Sequence, residues 1–119
     1  NKNVNLFEQE MKDIKIDTRT SIGAEAKYML SEVYFKLNRL NDAEIEVLDF
    51  AKKNSPYQYW LARSFIVLSD VYLQKGDDFQ AKQYLLSLQK NYTVNDDVQS
   101  KINERLKAIE IRSSKSIIN

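Results

Sequence analysis

The sequence contains no cysteine and no histidine, which removes the side chains on which most catalytic and metal sites depend. Disulfides, thiolate chemistry, the commonest zinc ligands and the commonest general base are therefore missing. The acid pairs Asp77-Asp78 and Asp96-Asp97 fit helix N-caps better than metal sites, because the spaced acids of a calcium loop are absent. Gly23 and Gly76 are the only glycines and cannot form a phosphate-binding loop. We therefore expect a protein that is not an enzyme and that binds no cofactor or metal.

Turn-forming residues and long apolar runs are scarce as well. Two Gly and one Pro in 119 residues favour one domain of long helices joined by short connections. No apolar run reaches the ~18 residues of a membrane span, so direct membrane insertion is not expected. The 18 basic and 17 acidic residues leave a net charge of +1, which argues against a protein that coats nucleic acid.

The chain contains an internal repeat at an offset of 38 residues. The segment Leu30-Ser31-x-Val33-Tyr34 returns as Leu68-Ser69-x-Val71-Tyr72, and Ala43 returns as Ala81. The offset also pairs Asn38 with Gly76, each one position beyond an amphipathic stretch, where helices often end in a left-handed backbone. Each unit is therefore predicted to be a helix, a tight turn and a second helix.

Start signals place the helices along the chain. Capping-box spacing links Asn41 to Glu44 and Asp77 to Gln80, and Ser55-Pro56 is typical of a helix start. We predict about six helices in a single domain over 1–119. Its parts are a preceding helix at 3–15, repeat 1 at 20–53, repeat 2 at 56–92, a C-terminal capping helix at 96–112 and a tail at 113–119.

The repeated residues resemble the tetratricopeptide repeat, which has characteristic small and aromatic positions. The positions that carry the resemblance are Ser31, Tyr34, Asn38 and Ala43, followed by Ser69, Tyr72, Gly76 and Ala81. The period of 38 exceeds the usual ~34, and Asn38 replaces a glycine. The resemblance implies an all-α fold of antiparallel helix-turn-helix repeats, stacked as a short right-handed solenoid.

The longer repeat unit also bears on the source and the compartment. It carries Ser55-Pro56-Tyr57 before its first helix and is similar to repeats of bacterial envelope proteins. A periplasmic or envelope location is thereby favoured over the cytoplasm, although the lack of Cys is compatible with both. The chain begins with Asn1 rather than Met, so we expect a piece of a longer or processed protein.

The resemblance implies that the first helix of each pair lines a concave, protein-binding face. The implied positions are Glu25, Tyr28, Glu32, Phe35 and Lys36, then Arg63, Ile66, Asp70, Leu73 and Gln74. At ~100° per residue the first set lies opposite Leu30, Tyr34 and Leu37, which we expect in the core. The face nevertheless carries apolar residues, and a helix that is apolar on two sides usually has a second surface to cover. Some family members clamp a peptide's terminal carboxylate with Lys and Asn. In this chain the positions of that Lys and Asn are occupied by Tyr28 and Glu32, so the clamp is not expected. The charged residues of the face predict that it is slightly acidic.

Two functions remain open. The first is a scaffold that binds a protein or peptide segment on the concave face. The second is a structural spacer in a larger array, with the face covered by a neighbouring repeat or by the terminal helix.

The cluster Tyr57, Tyr59 and Trp60 is expected to wedge one helix start against the preceding repeat. Lys101, Arg105 and Arg112 are interpreted as a solvated face rather than a nucleic-acid patch. The oligomeric state is left open.

Overall fold

The computed structural model describes residues 5–6, 8–10 and 16–118, with side chains through 115. Within these ranges the chain is all-α and has no strand, as predicted. Five helices are bounded: α1 at Ser21–Lys36, α2 at Leu40–Lys52, α3 at Gln58–Gln74, α4 at Asp78–Asn91 and α5 at Asp97–Ile118. Residues 5–6 and 8–10 are also helical, and the rest of the helix predicted at 3–15 lies outside the described residues.

The turns that close α1 and α3 have the same geometry. Asn38 has a φ of 60° and Gly76 a φ of 80°, so the predicted left-handed residue is confirmed at both places. After each of them a backbone N–H reaches back over the turn: Arg39 N donates to Tyr34 O and Asp77 N to Tyr72 O, both at 2.9 Å. This bonding satisfies carbonyls that the helix end would leave unpaired. A third left-handed residue, Asn54 after α2, was not predicted.

Replacing Asn38 with Gly is expected to leave stability unchanged or to raise the free energy of unfolding by up to ~1 kcal/mol. Gly reaches the left-handed region without the steric cost that a side chain meets there. The opposite change, Gly76→Ala, should lower stability by ~1 kcal/mol, because its strain comes from φ alone and a Cβ there meets no atom within 4 Å. Urea denaturation followed by circular dichroism measures both. A clear loss in Asn38→Gly would contradict the shared turn.

The helix starts follow the predicted signals in part. Asp77 caps α4 by accepting a hydrogen bond from Gln80 N at 3.1 Å, as predicted. α2 begins at Leu40 without a side-chain cap, so the predicted capping box at Asn41 is wrong. α3 begins at Gln58, so Pro56 lies two residues before the helix and not at its first position. The Ser55 hydroxyl donates to Thr18 O at 2.6 Å and accepts a hydrogen bond from Tyr57 N at 3.2 Å.

The helices pack as two consecutive pairs, and α5 lies against the second. α3 contacts both α1 and α2, and α5 contacts both α3 and α4. Leu30 and Tyr34 are buried as predicted, but Leu37 is 40% exposed, because it follows the last residue of α1 and caps the helix rather than packing beneath it. Ala43 and Ala81 are fully buried. The small residues of the repeat therefore lie where the helices approach closely.

The aromatic cluster at the start of α3 divides between two neighbours. The Trp60 ring lies 5.4 Å from the Tyr28 ring and packs against the core of the first pair, so the predicted wedge is confirmed for Trp60. Tyr59 instead donates its hydroxyl to Asp97 Oδ2 on α5 at 3.1 Å. Tyr57 is exposed and makes no wedge.

α5 is longer than predicted and is part of the domain core. It continues to Ile118, so the predicted end at 112 and the tail at 113–119 are wrong. Val98, Ile102 and Ile109 are buried in a cluster with side chains of α3 and α4. On the polar side of α5, Arg112 donates two hydrogen bonds to the Asp78 carboxylate, Nε to Oδ2 at 3.0 Å and Nη2 to Oδ1 at 3.2 Å. The face interpreted as solvated therefore lies partly against the protein.

Candidate functional site

One groove collects side chains from α1, α3 and α5. Its volume is about 240 Å³. The lining residues are Tyr28, Glu32, Phe35 and Lys36 on α1, Arg63, Ile66, Val67 and Asp70 on α3, and Lys101 and Arg105 on α5. α1 and α3 are the first helices of their units, so the repeat itself places their side chains on a common surface, and α5 supplies the opposite wall.

Seven of the ten predicted face residues line this groove. Three do not: Glu25 is half-buried outside it, Leu73 packs partly buried against the second core cluster, and Gln74 is exposed. Tyr28 and Ile66 line the groove but are themselves buried, at 6% and 4% exposure, so they form its floor. The groove is thus reached mainly through its charged rim and Phe35.

A relay of hydrogen bonds runs across the floor from α3 to α1. Arg63 Nη2 donates to the Tyr28 hydroxyl at 2.7 Å, and that hydroxyl donates to Glu32. Burial raises the pKa of Tyr28 to about 12, with the Glu32 carboxylate adding to the effect, so the phenol keeps its proton near neutrality. Lys36 holds the other Glu32 oxygen at 3.1 Å. Burial would raise the pKa of Glu32, but the hydrogen bonds from Tyr28 and Lys36 outweigh it and hold that pKa below its usual value.

Asp70, the second predicted groove acid, is already bound by α5. Arg105 donates Nε to Asp70 Oδ1 at 2.7 Å and Nη2 to Asp70 Oδ2 at 2.9 Å. This is the two-pronged geometry in which arginine binds a carboxylate most strongly, and both side chains are about one-quarter exposed. Asp70 therefore positions α5 and is not free to orient a bound segment.

The remaining two cations share one carboxylate at the rim. Asp97 Oδ2 lies 3.5 Å from Arg63 Nη1 and 3.8 Å from Lys101 Nζ. Both distances exceed the ~2.7–2.9 Å of a strong charge-assisted hydrogen bond. Arg63 also donates to the Tyr59 hydroxyl at 2.8 Å and stacks 4.8 Å from the centre of the Tyr28 ring, so its position is fixed.

The charge of the groove is the reverse of the sequence prediction. Four cationic and two anionic side chains line it, an excess of two positive charges. The predicted slightly acidic face is therefore wrong, because the prediction omitted Lys101 and Arg105 of α5 and included Glu25, which lies outside the groove. The repeat offset contains a signal for one of them: Lys101 stands 38 residues after Arg63, which itself stands 38 residues after Glu25, so a second application of the offset places Lys101 on the same face.

A second cleft, of about 320 Å³, lies between the start of α3 and the end of α4. The described residues that line it carry no formal charge; among them are Leu61, Phe65, Tyr84 and Tyr92. The Phe65 and Tyr84 rings stack with their centres 6.1 Å apart. No sequence pattern pointed to this cleft, and it does not collect the repeated face positions.

Comparisons with protein-family models, with curated proteins and with solved structures found no match for this chain. No helix in the described part of the chain is long and apolar enough to cross a membrane. Over the same residues, no group of three or more acidic side chains could hold a metal ion. Assignment of a function therefore depends on the geometry and charge of the groove.

Proposed function

We propose that this chain is a non-enzymatic protein-interaction module that binds a protein segment in the groove between α1, α3 and α5. The observation that carries the proposal is that seven of the ten residues implied by the resemblance line one groove. The proposal includes a tetratricopeptide-like, right-handed stacking of the helix pairs, supported by the repeated turns at Asn38 and Gly76.

The groove combines an apolar floor with a polar rim, the arrangement that protein segments use for docking. Phe35 is the partly exposed apolar side chain of the lining, Ile66 and Val67 lie buried in the floor, and charged groups surround them. Contact with the exposed part of Phe35 would contribute affinity by leaving water, and the charges of the rim would add attraction and fix the register. A helical segment would present apolar residues at i, i+3, i+4 and i+7 to this floor.

Phe35→Ala is expected to weaken binding about tenfold, because Phe35 is the lining aromatic that remains partly exposed. The probe is a peptide selected on the whole chain from a random display library of peptides of about 16 residues, which span about four helical turns. Fluorescence anisotropy of the labelled peptide gives the dissociation constant.

Phe79→Ala is the matched control, since Phe79 is 72% exposed and lies outside the groove, and it should leave the affinity unchanged. Both variants should keep their thermal stability more nearly intact than Tyr34→Ala, which removes a buried ring. Equal affinity of the wild-type chain and Phe35→Ala for every selected peptide would overturn the groove proposal.

The alternative function is a structural spacer, and one observation favours it. α5 already occupies one wall and binds Asp70 through Arg105, as the helix of a following repeat would. A spacer would use the groove side chains only to hold its own helices at a fixed spacing. A large loss of thermal stability in Phe35→Ala, together with no selected peptide, would support the spacer.

A further inference from the structure

The pairing of the charged groove residues is uneven. The Glu32 carboxylate accepts a hydrogen bond from the Tyr28 hydroxyl and forms a salt bridge with Lys36. The Asp70 carboxylate accepts two hydrogen bonds from the Arg105 guanidinium. Each oxygen of both carboxylates therefore already has a partner within the domain. Across the described residues, Arg63 and Lys101 have one salt-bridge partner between them, the rim residue Asp97, at long distances.

Asp97 is a weak partner for these two cations. Its side chain is 43% exposed, and one oxygen serves both of them at 3.5 and 3.8 Å. An ion pair so exposed and so long contributes little, because water and salt screen it. Hydrogen bonds to Tyr28 and Tyr59 nevertheless fix the Arg63 guanidinium over the floor, and Lys101 lines the same groove.

We infer that the groove binds an acidic protein segment, with Arg63 and Lys101 together receiving one Asp or Glu side chain of that segment; this inference rests on the proposed function. Even when the rim carboxylate of Asp97 is included, the four cationic side chains outnumber the three anionic ones, which selects against a basic segment. Phe35 lines the same groove and is partly exposed, so the segment carries an apolar residue as well as the acid. A free anion lacks that apolar contact and binds less tightly than the segment.

The test examines the peptides selected on the whole wild-type chain. Peptides that depend on Phe35 should carry more Asp and Glu than Lys and Arg, and replacing one Glu of the leading peptide by Gln should weaken it. Lys101→Gln should weaken that peptide about fivefold, as expected for a partly exposed ion pair, and should abolish the difference between its Glu and Gln forms. Lys107→Gln, at an exposed lysine of α5 outside the groove, should have no effect.

Asp97→Asn gives a second test of opposite sign. It removes the internal competitor for both cations and should tighten the acidic peptide about twofold. Peptides that depend on Phe35 but are neutral or basic, or that ignore Lys101→Gln, would overturn the acidic preference and leave the proposed function standing. Failure of every selected peptide to depend on Phe35 would overturn both.

Discussion

Ile102→Ala is expected to lower the free energy of unfolding by about 2–5 kcal/mol. Ile102 is fully buried on α5, in a cluster with Ala62, Ile66 and Leu85 of the second helix pair. Truncation removes apolar contacts and leaves a cavity that the packed helices can fill only in part. Urea denaturation followed by circular dichroism measures the loss.

The matched control is Ile111→Ala on the same helix. Ile111 is 46% exposed, so its truncation should change stability by no more than about 0.5 kcal/mol. Amide hydrogen exchange then locates the damage: in Ile102→Ala, the amides of α5 should lose protection before those of α1 and α2. Equal stability of the two variants would show that α5 does not fold with the repeats, and the wall that carries Lys101 and Arg105 would not be fixed.

Ala81→Leu is expected to cost about 1–3 kcal/mol, because extra methylenes must enter a site without free space. Ala81 is fully buried on α4, where it packs with the α3 residues Ala62 and Ile66. A larger side chain pushes α4 away from α3 or forces a strained rotamer. Thermal unfolding should show a lower midpoint in the variant.

Gln89→Leu tests whether the cost comes from the site rather than from leucine itself. Gln89 is exposed on the same helix, and leucine there should change stability by no more than about 0.5 kcal/mol. If Ala81→Leu were as stable as Gln89→Leu, the close approach of α3 and α4 at the small repeat position would be refuted.

These two predictions concern the scaffold on which the groove depends. Ala81 fixes the second helix pair, and Ile102 holds α5 against it. Because Arg63 lies on α3 and Lys101 on α5, movement of either helix would separate the two cations. Stability measurements at both sites therefore test whether the helices that carry the two cations of the proposed subsite are held together before any peptide binds.

Local signals in the sequence determined the helices and the turns between them. A residue past a helix end needs a left-handed backbone, and only its own side chain and immediate neighbours decide that, so Asn38 and Gly76 could be identified by their spacing. The spacing of apolar residues placed Leu30 and Tyr34 in the core, because a helix repeats its faces every ~3.6 residues. Leu37 fitted the same pattern but lies beyond the last turn of α1, where no helix covers it.

The tertiary structure alone decided where α5 lies and which charge the groove carries. The contact between Asp70 and Arg105 joins residues 35 positions apart, and no local pattern encodes it. Tyr59 likewise reaches Asp97 only because α5 packs on α3. Charge at a surface depends on every element that borders it, so the face predicted from α1 and α3 changed sign when a third helix contributed Lys101 and Arg105.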